Sequence, residues 1–271
     1  MTSAGDDVFR AEGLECVYGR GGEAVHALSD VSLRVQAGEF VSIVGPSGCG
    51  KSTLLRIVGG LVRPTAGTIS GSSEAERLAG KIAMMFQAPV LVPWRNVLRN
   101  VLLIEELRSG RIKQTDEAET RALRLLELVR LGDFVGKFPF ELSGGMQQRA
   151  ALARALFVEP GLMLLDEPFG ALDALTREDM NLELQRICMS RPITVLLVTH
   201  DLNEALMLAD RVVVMSDRPG TVILERRVDL PRPRSSAVKY DPRFLAAHEE
   251  IYRAMHSGAR ASAAERARRE A

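Results

Sequence analysis

Five short aliphatic runs constrain this chain more than anything else in it: Phe40-Val41-Ser42-Ile43-Val44, Ile82-Ala83-Met84-Met85-Phe86, Leu162-Met163-Leu164-Leu165, Thr194-Val195-Leu196-Leu197-Val198 and Arg211-Val212-Val213-Val214-Met215. Each is apolar at consecutive positions, so both of its faces must be covered, which is the pattern of a buried parallel strand. Between the runs lie helical patterns, at Lys51 to Gly60, Leu175 to Ile187 and Asn203 to Leu208. Strands alternating with helices predict an α/β sheet. Near the N-terminus the pattern alternates instead, with Val31, Leu33 and Val35 on one face of a half-buried antiparallel strand. From Pro89 to Val158 the strand signals stop. Thr115 offers an N-cap followed by Asp116 and Glu117, and Ala118, Ala122, Leu125, Leu126 and Val129 form an apolar stripe. A helical subdomain over 89–157, inserted into the α/β core, is the reading.

The first run leads into Gly45-Pro46-Ser47-Gly48-Cys49-Gly50-Lys51-Ser52, followed by Thr53 and a helix. This is G-x-x-x-x-G-K-[ST] between a strand and a helix, a phosphate loop. Glycines let backbone N–H groups face phosphate oxygens, the helix dipole adds positive potential, Lys51 supplies a point charge and Ser52 a hydroxyl for Mg²⁺. The third run ends in Asp166-Glu167, a carboxylate pair at the C-terminal end of a strand, where ligands of parallel sheets sit. Asp166 is placed to hold Mg²⁺ through its water shell, and Glu167 to polarise an attacking water. A second anion-binding helix start is Leu142-Ser143-Gly144-Gly145-Met146-Gln147-Gln148-Arg149.

With these motifs, the chain from Val8 to Leu230 resembles the ATP-binding cassette (ABC) ATPases of membrane transporters. The resemblance implies a phosphate-loop core with a parallel sheet, an N-terminal antiparallel β region and the inserted helical subdomain, over residues 8–230. Residues 231–271 would be a partly disordered extension, with an Arg/Ala/Glu tail from Ala259. It implies ATP and Mg²⁺ as ligands, hydrolysis to ADP and phosphate, and a head-to-tail homodimer in which the Ser143-Gly144-Gly145 loop of one subunit closes over the ATP of the other. Tyr18 would stack on adenine. Gln87 would sense Mg²⁺ and the γ-phosphate, Asp173 would speak across the dimer, and His200 would contact the γ-phosphate and hold Glu167. Met146 stands where many members carry Gln, and Ala88 where an acid is common. The stretches Phe86 to Val97 and Leu165 to Arg177, with the Asp217-Arg218-Pro219-Gly220 turn, look most like the nitrate, sulfonate and taurine importer branch. That branch implies a separate integral membrane permease, a periplasmic or lipid-anchored solute-binding protein, and a peripheral position on the cytoplasmic face of the membrane. Ser70-Gly71-Ser72-Ser73-Glu74 and the loop Gly19 to Gly22 are irregular regions. Trp94, the only tryptophan, either faces a partner or fills the subdomain core.

Composition narrows the alternatives. Lys and Arg total 35 against 35 Asp and Glu, and aromatics are 5%, so there is neither a global basic field nor a base-stacking surface, and no nucleic-acid partner is expected. A soluble ATPase of the same superfamily acting on DNA or ribosomes would carry a coiled-coil insert or a second cassette; a small-molecule kinase leaves the Ser-Gly-Gly loop unexplained. The 3 cysteines and 4 histidines lack zinc spacing, the first residues are acidic where a signal peptide is basic, and no apolar stretch is long enough to span a bilayer.

Overall fold

The computed structural model describes residues 7–19, 24–71, 82–109, 116–191 and 193–270. Thr115, Ser72 to Glu74 and residues 20–22 of the irregular loop lie outside them. Along the chain come β1 (Asp7–Tyr18), β2 (Val25–Gln36), β3 (Phe40–Val44), α1 (Lys51–Val58), β4 (Ala66–Ser70) and β5 (Ile82–Met85). The helical segment follows, with α2 (Val97–Val101), α3 (Leu103–Ser109), α4 (Asp116–Leu128) and α5 (Gly144–Phe157). The chain then returns to the sheet through β6 (Leu162–Asp166), α6 (Ala174–Ser190), β7 (Thr194–Val198), α7 (Leu202–Leu208), β8 (Arg211–Met215) and β9 (Val222–Arg227), and ends in α8 (Pro242–Glu270).

Two sheets result, one of order β2-β1-β4 and antiparallel, the other of order β5-β6-β7-β3-β8-β9. The five aliphatic runs are the five parallel strands of the larger sheet; only β9 joins it antiparallel. Because successive strand residues face opposite ways, the runs split between two cores. Val41, Ile43, Leu164, Leu196, Val198, Val213 and Met215 face β1, β2 and α1. Phe40, Val44, Met163, Leu165, Val195, Leu197, Val212 and Val214 face the helices. A strand apolar on one face could not serve both layers, which is why these segments do not alternate.

The segment after Leu230 departs from its expected role as an extension. Arg234 is 3% exposed, and the first turns of α8 bury Phe244, Ala247 and Ile251 in the helix-side core. Their i, i+3, i+7 spacing puts one apolar stripe against α7, β8 and β9.

Candidate nucleotide and hydrolysis site

Strand order explains the site. β5, β6, β7 and β3 are neighbours, and their carboxyl ends lead into Gln87, Asp166-Glu167, His200 and the phosphate loop respectively. Residues far apart in sequence are thereby delivered to one edge, the ligand edge of a parallel sheet.

The phosphate loop turns tightly between β3 and α1. Gly50 has φ +109° and a Cβ there would lie 2.5 Å from the Ala27 carbonyl oxygen; a Cβ on Gly45 would lie 2.8 Å from that of Met215. Both positions admit only hydrogen. Lys51 is 5% exposed, and its Nζ donates to the carbonyls of Gly45 (2.8 Å) and Pro46 (2.7 Å). A buried ammonium held by two carbonyls and the Cys49 sulfur (3.8 Å), all of them uncharged, keeps a strong attraction for an anion. Cys49 is fully buried, and burial pushes its thiol up, so it is a filler and not a nucleophile. The Tyr18 hydroxyl donates to Thr53 Oγ1 at 3.3 Å, which brings the end of β1 beside the first turn of α1.

Ser52 Oγ donates to Asp166 Oδ1 at 2.7 Å. A hydroxyl and a carboxylate this close are the hard oxygen donors that fit Mg²⁺, which takes one or two protein oxygens and completes its shell with water and phosphate. Next to them Glu167 has φ +46°, uncommon for a residue with a side chain, and its N–H donates to Val198 O at 2.8 Å. Glu167 Oε2 lies 3.2 Å from His200 Nδ1 and 3.4 Å from Gln87 Nε2. Three residues named from sequence thus meet on one oxygen, a carboxylate oriented for work on a water.

Ser143 and Asp173 are placed elsewhere. Ser143 caps α5, its hydroxyl accepting from Met146 N, and Asp173 caps α6, accepting from Thr176 N at 3.0 Å. That backbone N–H holds the Asp173 carboxyl below its ordinary value. A Cβ on Gly145 would lie 3.0 Å from Thr176 Cγ2, so the Ser143-Gly144-Gly145 turn and the Asp173 turn form one exposed surface. Among the described residues no hydrogen bond joins that surface to the phosphate loop of the same chain.

Sequence reasoning did not single out the residues that fasten these loops. Gln148 Nε2 donates to Gln87 O at 2.7 Å, and Arg154 donates to Pro89 O (2.9 Å) and Val90 O (2.8 Å). Asn100, fully buried, bonds Val92, Arg95 and Asn96 backbone groups. The only signal was a polar residue standing among buried apolar ones. Arg177 similarly ties Leu172 O (2.9 Å) to Asp201 Oδ2 (3.1 Å), joining the Asp173 turn to the residue after His200. Trp94 is 77% exposed, so it does not fill the subdomain core.

Comparison with known proteins agrees with this geometry. Residues 28–170 match the ABC transporter family. The chain is 45% identical over 83% of its length to an aliphatic sulfonates import ATP-binding protein of Agrobacterium fabrum, covering 76% of that protein. It is 44% identical over 85% of its length to a bicarbonate transport ATP-binding protein of a Synechocystis strain, of which it spans 35%. A dimeric, post-hydrolysis ATP-binding cassette bound to ADP and Pi superposes with a TM-score of 0.71 at 35% identity, covering 82% of this chain and all of that one. Phosphate loop, paired carboxylates and Ser-Gly-Gly turn therefore have one explanation: this chain belongs to the ATP-binding cassette family of transporter ATPases.

Proposed function

We propose that residues 8–230 form the motor of a solute importer, two copies of which bind two ATP molecules between them. Each site would take Tyr18, Gly45 to Thr53, Gln87, Asp166, Glu167 and His200 from one copy, and Ser143, Gly144, Gly145 and Asp173 from the other. The convergence of Gln87 and His200 on Glu167, beside the Ser52–Asp166 pair, carries this reading. In the reaction Lys51 and the loop N–H groups hold the triphosphate, and Glu167 polarises the water that attacks the γ-phosphorus and accepts its proton. His200 and Gln87 fix the carboxylate. Mg²⁺ held by Ser52 and Asp166, with Gln87 as a further oxygen ligand, would neutralise developing phosphate charge.

Residues 89–157 would pass closure of the pair to a separate integral membrane permease, with the exposed Trp94 and Val90 on the receiving face. Among the described residues no helix is long and apolar enough to cross a membrane, which accords with a peripheral subunit at the cytoplasmic face. Relatives are named for aliphatic sulfonates, nitrate and bicarbonate, and the cargo inferred for this chain is a small anion of that kind, which a solute-binding protein would deliver. The test is Glu167→Gln. It should retain Mg-ATP binding and lose turnover by about 100-fold or more; turnover at the parent rate would refute the assignment. Co-purification of this variant with a multi-spanning permease in the presence of Mg-ATP tests the transport half.

A further inference from the structure

Beside the His200 turn lies a cavity of about 170 Å³ bounded by α6, α7 and the 3-10 turn Ser236–Tyr240. Its charges are paired, with one exception. Arg177 meets Asp201 at 3.1 Å and Lys239 meets Glu178 at 2.7 Å. Glu204 is left over: the residue is 4% exposed, and its Oε1 is buried without a hydrogen-bond partner. Asn181, 5% exposed and lining the same cavity, has its Oδ1 in the same condition. Two buried acceptors lining one cavity, neither of them met by a donor, are an unfavourable arrangement, and a single proton between them relieves it.

We propose that Glu204 is a positioning residue for His200: its neutral carboxyl donates to Asn181 Oδ1, ties α7 to α6, and so holds the turn that carries the imidazole. Ionisation releases the tie. The connection to His200 is short. Asp201, the next residue, caps α7 by accepting from the N–H groups of Asn203 (2.8 Å) and Glu204 (3.2 Å), and its own N–H donates to Thr199 Oγ1 at 3.0 Å. Glu204 thus sits in the first turn of the helix that His200 enters.

The electrostatics point the same way. Burial pushes the Glu204 carboxyl up to about 7; the Thr199 hydroxyl pulls it down, Asp201 up, Arg177 down and Glu167 up. For an acid raised in the folded state the tie is complete at low pH and is lost as pH rises through about 7, whereas an unfolded glutamate titrates near its ordinary value.

This inference rests on the reading of His200 above, and the tests separate the two. Glu204→Gln removes the titration and keeps a donor. Its melting temperature minus that of the parent should grow from about pH 5 to about pH 7 and level off above. Parallel curves would overturn the proposal, since the carboxyl would then be ionised throughout, its charge met by the Asn181 amide turned the other way. The ratio of kcat at about pH 6 to that at about pH 8.5 should be several-fold larger in the parent than in Glu204→Gln, with KM for ATP unchanged; an unchanged ratio overturns the link to His200. Should Glu204→Gln not fold, Asn181→Asp serves: two acids sharing one proton move the parent's limb to higher pH, and an unmoved limb overturns the proposal. The His200→Ala variant checks the underlying reading alone, because full turnover there removes the catalytic role of His200 whatever Glu204 does.

Discussion

Gly50 sets the tolerance of the phosphate loop. At φ +109° with backbone 2.5 Å from where a Cβ would go, alanine meets both strain and a clash that no side-chain rotation relieves. Gly50→Ala should cost about 3 kcal/mol or more of stability, read as a lowered denaturant midpoint, or displace the loop and abolish nucleotide binding. Lys51→Ala acts differently. Its ammonium bonds only uncharged groups of the loop itself, two carbonyls and the Cys49 sulfur, so the fold should survive while Mg-ATP affinity drops by about 10- to 100-fold, the worth of a charge-assisted contact; calorimetry measures this directly. Both residues were legible in the sequence because their chemistry is local, a glycine where the backbone must bend and a lysine at a helix start. Gln148 and Arg154 were not, since each serves a carbonyl more than 60 residues away, and nothing in their own neighbourhood in the sequence names that partner.

Elements were legible where one pattern decided them and obscure where a distant group completed them. The parallel strands needed only their two-sided hydrophobicity. By contrast, the Pro231-Arg232-Pro233-Arg234 segment reads in sequence as a break, yet Arg234 completes α7. Its guanidinium donates to Leu206 O (2.8 Å), Met207 O (3.3 Å) and Ala209 O (2.7 Å), the carbonyls that a helix end leaves without partners, and also to Leu230 O. Burial pushes the group down to about 10, so it stays charged at neutral pH. Arg234→Met keeps the volume and removes every donor; it should destabilise by about 3 kcal/mol or more. Phe244→Ala, at 1% exposure on α8, should cost about 3 to 5 kcal/mol through the cavity it leaves. A loss under about 1 kcal/mol in thermal unfolding would mean that the last helix is an appendage after all.

At the scale of the whole molecule, the proposed function divides each site between two surfaces of one chain. The phosphate loop with its carboxylates lies at the sheet edge, and the Ser143-Gly144-Gly145 turn with Asp173 forms a separate exposed surface. If hydrolysis needs both, a second copy must supply the missing half, and head-to-tail pairing around a twofold axis closes two sites at once. The consequence can be tested by mixing two dead chains. Lys51→Ala disables a subunit's own phosphate loop, and Ser143→Arg disables what it lends to its partner. A mixed pair then combines the intact loop of the Ser143→Arg chain with the intact turn of the Lys51→Ala chain, giving one whole site, while the other site carries both lesions. Random pairing makes half of the dimers mixed, so mixing should recover up to about a quarter of the parent ATPase rate. Each variant alone should stay near zero. Were the halves to come from the same chain, every site would retain one lesion whatever the pairing, and mixing would recover nothing.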